Sequence, residues 1–135
     1  MSAELCWSIV RKNSCYLVKS LGKTLTKEPN NVTKINAFKY NGYVNRKSVG
    51  VDAAPGGKGV VLTLKKTKGQ NRPLKALSKS TIQGSRHAIK TIKNTLAANG
   101  YRKDLTDPAI RRACAIIRSQ NTAVVKKRRS RRKKN

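Results

Sequence analysis

Val49-Gly50-Val51-Asp52-Ala53-Ala54-Pro55-Gly56-Gly57-Lys58-Gly59-Val60-Val61-Leu62-Thr63-Leu64 is the stretch on which the fold turns. Val49 and Val51 alternate with other residues, which puts both on one face of an extended strand, because successive side chains of a strand point to opposite sides. Ala54-Pro55-Gly56-Gly57 turns the chain, and Val60, Leu62 and Leu64 line one face of a returning strand. The stretch reads as an antiparallel hairpin with one apolar face. Gly56-Gly57-Lys58-Gly59 resembles a phosphate loop only superficially. It lacks the Gly-x-x-x-x-Gly-Lys-Ser/Thr spacing and leads into a strand, not a helix.

Downstream of the hairpin, Lys65 to Pro73 is a polar, basic loop, and beyond it the apolar period lengthens. Ile89, Ile92 and Leu96 recur at i, i+3 and i+7, so a helix is expected there, with Asn99-Gly100 as its C-cap. Arg86, Lys90 and Lys93 lie beside that apolar stripe. A second helix is signalled by Asp107 as N-cap and Pro108 in the first helical position. Ile110, Ala113, Cys114 and Ile117 form its expected inner face, with Arg111 and Arg118 stacked on one flank.

Upstream, the first ten residues read as a short helix capped by Ser2, with Leu5, Ile9 and Cys6 along its inner edge. Cys15 to Lys19 alternates like a strand, and Glu28-Pro29-Asn30-Asn31 is a turn. Asn41-Gly42, between Phe38-Lys39-Tyr40 and Tyr43-Val44, is a hairpin signal that also occurs in plain loops. Trp7 and Phe38 are expected in the core, whereas Tyr40 and Tyr43 suit either packing or base stacking. Strands first and helices second make an α+β domain: a small antiparallel sheet of hairpins with packed helices, two of them C-terminal. One domain over residues 1–120 is expected, followed by a basic extension over 121–135.

Composition sets the chemistry. The chain has 135 residues, with 32 Lys+Arg against 5 Asp+Glu, for a formal net charge of +27. Solubility needs far less, so a polyanionic partner is implied. From Lys126 to Lys134, eight of nine residues are Lys or Arg. That run has no apolar periodicity and repels itself, so it is expected to be unfolded until a polyanion neutralises it. It also suits a nuclear localisation signal. The remaining cations are spread over every segment. A module that grips one duplex groove would gather them on one face, so charge on all sides suggests a protein embedded among several nucleic-acid segments.

The same sequence disfavours other classes. No apolar run approaches the roughly 20 residues of a membrane span, and Met1-Ser2-Ala3-Glu4 lacks the pattern of a secretory signal. Cys6, Cys15 and Cys114 are odd in number and widely spaced, which fits a reducing compartment. No Cys-x-x-Cys or His partner stands at metal-ligand spacing, so no metal or other cofactor is expected. The acids Glu4, Glu28, Asp52, Asp104 and Asp107 are scattered, and the single His87 lies on a polar helix side. No catalytic residues are assigned and no enzyme is expected. Six aromatics, one Phe, one Trp and four Tyr, are too few for an RNA-recognition stacking sheet.

Several stretches resemble a known family. They are Trp7-Ser8-Ile9-Val10-Arg11, Cys15-Tyr16-Leu17-Val18-Lys19, Glu28-Pro29-Asn30-Asn31 and Asn36-Ala37-Phe38-Lys39-Tyr40-Asn41-Gly42. Arg46-Lys47-Ser48-Val49-Gly50-Val51, Gly57-Lys58-Gly59-Val60-Val61, Tyr101-Arg102-Lys103-Asp104-Leu105 and Ala109 through Gln120 follow in order. Together they resemble the eukaryote-specific large-subunit ribosomal protein L-twenty-eight family, collinearly over about residues 1 to 120. Leu74 to Asn99 matches less well, and the tail matches only in being basic. The resemblance implies a non-enzymatic structural protein of the cytosolic large ribosomal subunit, assembled through the nucleus and nucleolus and bound to large-subunit rRNA and adjoining ribosomal proteins. An assembly factor or RNA chaperone needs the same charge and stays open as an alternative. A chromatin or DNA-binding protein is a third reading, although the arginines of the second helix are spread round its wheel.

The expected phosphate-binding residues are Arg11, Arg46, Lys47, Lys65, Lys66, Lys68 and Arg72 in the sheet half. Arg86, Lys90, Arg111, Arg112 and Arg118 come from the helical half. Lys126, Lys127, Arg128, Arg129, Arg131 and Arg132 come from the tail.

Overall fold

A computed structural model describes residues 2–70, 72–98 and 100–121. The decisive hairpin forms as expected. Strand β3 (Val49–Ala53) pairs antiparallel with β4 (Val60–Lys65), Val49 opposite Leu64 and Val51 opposite Leu62. Two short strands precede them, β1 (Leu17–Ser20) and β2 (Lys23–Thr26), which form a separate two-stranded sheet. A third strand, β5 (Leu77–Ile82), completes the main sheet on the far side of β4, in the order β3-β4-β5. The sequence reading did not include β5. Ser78, Lys79, Ser80 and Thr81 carry no apolar alternation, as suits an edge strand that a lysine protects from further pairing.

The helices are α1 (Ala3–Val10), the single turn α2 (Pro73–Ala76), α3 (Ser85–Ala98) and α4 (Thr106–Gln120). The core lies between one face of the main sheet and α3 and α4. Val49, Val51, Val60 and Leu62 meet Ile92, Leu96, Ala109, Ala113 and Ile116, with Tyr101 and Leu105 between the helices. An α+β architecture of small antiparallel sheets and packed helices is thus present.

Both long helices exist, but each is rotated from the expected face. On α3 the buried stripe is Ala88, Ile92 and Leu96, while Ile89 is 39% exposed. On α4 it is Ala109, Ala113 and Ile116, with Ile110, Cys114 and Ile117 half-buried. Alanines at the contact let helix and sheet approach closely, and the bulkier isoleucines beside them pack at the margin. The start of α4 differs as well. A 3-10 turn, Lys103–Leu105, runs straight into Thr106, with Leu105 at the cap position making no side-chain cap bond. Leu105 is held in the core, so the helix begins before Asp107, which becomes a first-turn residue favourable to the helix dipole. At the end of α3, the Tyr101 N–H donates to Leu96 O and the Gly100 N–H to Ala97 O, with Gly100 at φ +52°. That is the paired bonding of a Schellman cap, and its apolar contact is Leu96 with Tyr101 in the core. Asn99, expected in that cap, lies outside the described residues.

The N-terminal part is built differently. Ser2 caps α1, its Oγ accepting the Leu5 N–H at 3.2 Å. The half-buried face of α1 is Ala3, Cys6, Trp7 and Val10, whereas Leu5 and Ile9 are 53% and 58% exposed. Trp7 and Phe38 are not core residues. They pack on each other, centroids 6.0 Å apart, away from the main cluster. The Asn41-Gly42 hairpin does not form either. Asn41 keeps a negative φ of −64°, incompatible with the turn that would need positive φ there. The tight hairpin of this region joins β1 to β2 instead, through Leu21 (φ +41°) and Gly22 (φ +75°).

A candidate nucleic-acid interface

The loop of residues 27–46 packs on the main sheet at Gly50 and reaches the core through Val32 and Tyr40. A Cβ at Gly50 would come within 2.6 Å of Asn30 Oδ1, and one at Gly42 within 2.8 Å of Pro29 O, so neither position has room for a side chain. Buried polar groups hold the loop. Glu28 accepts from Asn31 Nδ2 at 2.7 Å and from Asn41 Nδ2 at 2.9 Å, one on each carboxylate oxygen. Burial pushes its carboxyl above the ordinary value, outweighing the pull of Asn31, the Gly42 N–H and Lys34. Asn41 Oδ1 in turn accepts the N–H groups of Tyr43 (3.0 Å) and Val44 (2.8 Å).

Two basic side chains tie this loop to the rest. Lys65 Nζ, reaching from the end of β4, donates to the carbonyls of Gly42 (3.0 Å), Tyr43 (3.1 Å) and Asn45 (2.9 Å). An ammonium has three protons, so this one is fully committed. Burial lowers its pKa from the ordinary lysine value. Lys65, expected to bind phosphate, is therefore a structural clasp. Arg102, at φ +42°, grips Asp104 through Nε and Nη2 at 3.0 and 2.9 Å. It also donates to Lys47 O (3.1 Å) and Lys39 O (2.9 Å). The guanidinium holds the Asp104 carboxyl below the usual range. Sequence reading gave Arg102 no role, because besides Asp104 its partners are distant carbonyls with no signature of their own.

Most of the other expected cations among the described residues are exposed, and the fold gathers some of them. Arg46, just before β3, and Arg72, after the basic loop, line one open groove of about 480 Å³ with Thr67, Gly69 and Gln70. Lys66 and Lys68 are exposed on the same loop. Arg111 and Arg112 line a second groove of about 480 Å³ with Tyr40, Pro108 and the Val32–Ile35 segment. Arg112 Nε is buried there with no partner among the described residues. Lys47 is half-buried, its Nζ 5.5 Å from the centroid of the Tyr101 ring. Arg11 is exposed at the end of α1, Arg86 and Lys90 on α3, and Arg118 on α4. None of these four lines either groove. The tail residues Lys126, Lys127, Arg128, Arg129, Arg131 and Arg132, and the expected order of that extension, lie outside the described residues.

Tyr43 is also held in a defined pose. Its ring stacks on Tyr16 with centroids 5.6 Å apart and planes 18° from parallel, and the two hydroxyls bond at 3.1 Å. Partial burial and the Tyr16 bond push the Tyr43 hydroxyl pKa up to about 12. Among the described residues, no group of three or more His, Cys, Asp or Glu side chains could hold a metal ion, and no helix is long and apolar enough to cross a membrane.

Among the described residues, the arrangement offers two open grooves lined by arginine pairs. The chain matches the model of the Ribosomal L28e protein family over residues 5–119. It is similar to the large ribosomal subunit protein eL28 of Caenorhabditis elegans, 38% identical over 122 residues, covering 89% of this chain and 91% of that one. It is similar to the eL28 of Schizosaccharomyces pombe at 35% over 125 residues, covering 89% and 93%. The eL28 of Dictyostelium discoideum is 34% identical over 134 residues, covering 94% and 97%. A match that takes in both sheets and all four helices shows that this chain belongs to the Ribosomal L28e family.

Proposed function

We propose that this chain is a structural constituent of the large subunit of the eukaryotic cytosolic ribosome, binding large-subunit rRNA and touching neighbouring ribosomal proteins. The observation that carries the reading is the near-full-length similarity to chains named large ribosomal subunit protein, across three distant eukaryotes. The charge of +27 supplies the physics. Each Lys or Arg that neutralises a phosphate releases condensed counterions, so many weak contacts sum to firm, salt-sensitive binding with little sequence information. Arg46 with Arg72 and Arg111 with Arg112 are the phosphate clamps of the two grooves, because guanidinium groups take phosphate in a bidentate fork. Arg11, Lys66, Lys68, Arg86, Lys90 and Arg118 add contacts elsewhere on the surface. The cations of the 121–135 extension add contacts of the same kind, beyond the single domain of residues 1–120. Assembly through the nucleolus and residence in cytoplasmic ribosomes follow from the same reading.

Sucrose-gradient sedimentation of a lysate, before and after a high-salt wash, tests it. Retention on large subunits and polysomes through the wash is the expected result. Release by the wash, or confinement to nuclear precursor particles, would replace this reading with that of a transient assembly factor.

A further inference from the structure

We propose that the cleft beside Tyr43 is a receptor for one unstacked RNA nucleotide, with the base against Tyr43 and its phosphate on Arg46 and Arg72. The idea rests on the RNA-binding reading and adds a defined site to it.

Two adjoining grooves carry the inference. One, of about 360 Å³, is lined by Pro29, Asn30, Tyr43, Gln70, Pro73 and Leu77 among others. That volume lies in the range of small-molecule sites. The other is the Arg46–Arg72 groove, and Gln70 lines both. Gln70 also ties the two lobes together, its Nε2 donating to Arg46 O over a long 3.4 Å. One lobe is thus apolar and aromatic with two amide side chains, and the next is cationic. Among the described residues, no Asp or Glu lines either. A base has an apolar face and an edge of donors and acceptors that amides match, and it carries a phosphate within one nucleotide's reach.

The pose of Tyr43 supports this occupant. Tyr43 is 52% exposed although its backbone is fixed from both sides. Its N–H is bound by Asn41, its carbonyl by Lys65, and the preceding Gly42 is packed against Pro29. Tyr16 backs the ring in a parallel stack. A rigid, half-exposed aromatic loses little entropy on binding, which is what a stacking platform requires. Lys65 lines the apolar lobe too, but its ammonium is already saturated by carbonyls and does not compete for the phosphate.

The test uses the full-length purified chain, with a twelve-nucleotide oligouridylate and a duplex RNA of equal length as probes, titrated by fluorescence anisotropy over a series of KCl concentrations. Stacking on an aromatic predicts that Tyr43→Ala weakens oligouridylate binding at least about fivefold with an unchanged salt slope. Duplex binding should stay within about twofold. Tyr43→Phe, which keeps the ring and loses the hydroxyl bond to Tyr16, should bind like the parent. Arg46→Gln with Arg72→Gln should flatten the salt slope for oligouridylate by roughly 0.7 to 1, the share of the one phosphate that the two arginines hold. Unchanged oligouridylate affinity in Tyr43→Ala overturns the proposal. So does an equal loss on duplex, or a loss in Tyr43→Phe as large as in Tyr43→Ala. If the parent chain binds neither RNA, the RNA-binding reading itself fails, a result separate from failure at Tyr43.

Discussion

Residues 2–45 and residues 46–121 reach order by different means. Among the described residues, the second part holds fourteen of the fifteen buried hydrophobic ones, and the first contributes only Val32. Exposed large apolar side chains divide the other way. Among the described residues, Leu5, Ile9, Tyr16, Leu21, Leu25, Ile35, Phe38 and Tyr43 lie in the first part, and only Leu74 and Ile89 in the second. The second part is a sheet-on-helix core stabilised by apolar burial. The first has too little buried apolar area for that and relies on directed polar contacts: Glu28 with Asn31 and Asn41, and the Lys65 and Arg102 clasps on its carbonyls. The difference shows how a small, highly charged chain extends ordered structure past its core. Buried polar groups pin a loop in one pose, at the risk that losing one partner leaves others unsatisfied.

The strongest way to break this contrast is to remove core volume. Leu62 is 1% exposed at the centre of the main sheet, so Leu62→Ala should cost about 2–5 kcal/mol, read by denaturant titration. A loss below about 1 kcal/mol would mean that this sheet is not the centre of stability.

A smaller and more local loss is expected at Glu28. Glu28→Gln replaces one of two accepting oxygens with a donor facing an asparagine NH₂, at a cost of about 1–3 kcal/mol. Hydrogen exchange should show it first in residues 17–45, with protection of β3 and β4 little changed. Equal loss in both regions would make them one cooperative unit. The variant also sharpens a pH prediction. Because the folded pKa of Glu28 is raised above 4.5, the folded state binds the extra proton. Its contribution is complete below about pH 4.5 and is lost as pH rises through the folded value. The parent should therefore lose stability relative to Glu28→Gln over that rise.

Asp104 has the opposite sign. Its pKa is depressed below 3.8, so its contribution is present above that value and disappears as pH falls through the folded one. The pair is partly exposed, and Asp104→Asn should cost no more than about 1 kcal/mol, confined to pH above the folded value. The smallest effect belongs to the rotated helix faces. Ile89→Ser should change stability by about 0.5 kcal/mol or less, whereas Ile92→Ser, three residues on, should be severely destabilising. Equal effects at the two positions would restore the face expected from the sequence.

What could be read in the residues divides along the same line. Alternation at Val49, Val51, Val60, Leu62 and Leu64 was sufficient for the central hairpin, and the helical spacing around Ile92 and Leu96 for α3. The contact face was misjudged wherever alanine makes the closest approach, at Ala88 and Ala109, because apolar weight favours the neighbouring isoleucines. Strand β5 was missed because its order comes from pairing with β4 and not from its own side chains. Asn41-Gly42 was ambiguous locally, and a carboxylate thirteen residues away decided it.

By itself, the sequence determined the α+β class, the hairpin at its centre, the two C-terminal helices and the polyanion-seeking charge. Those properties follow from local periodicity and from a sum over residues. The tertiary structure alone decided which cations are free. Lys65 and Arg102 look like their neighbours in the chain, yet their side chains are tied to carbonyls twenty or more residues away. Arg46 and Arg72, distant in sequence, share a groove that Gln70 continues towards Tyr43. A charge depends on the residue alone, but its availability depends on what the fold brings within hydrogen-bond reach.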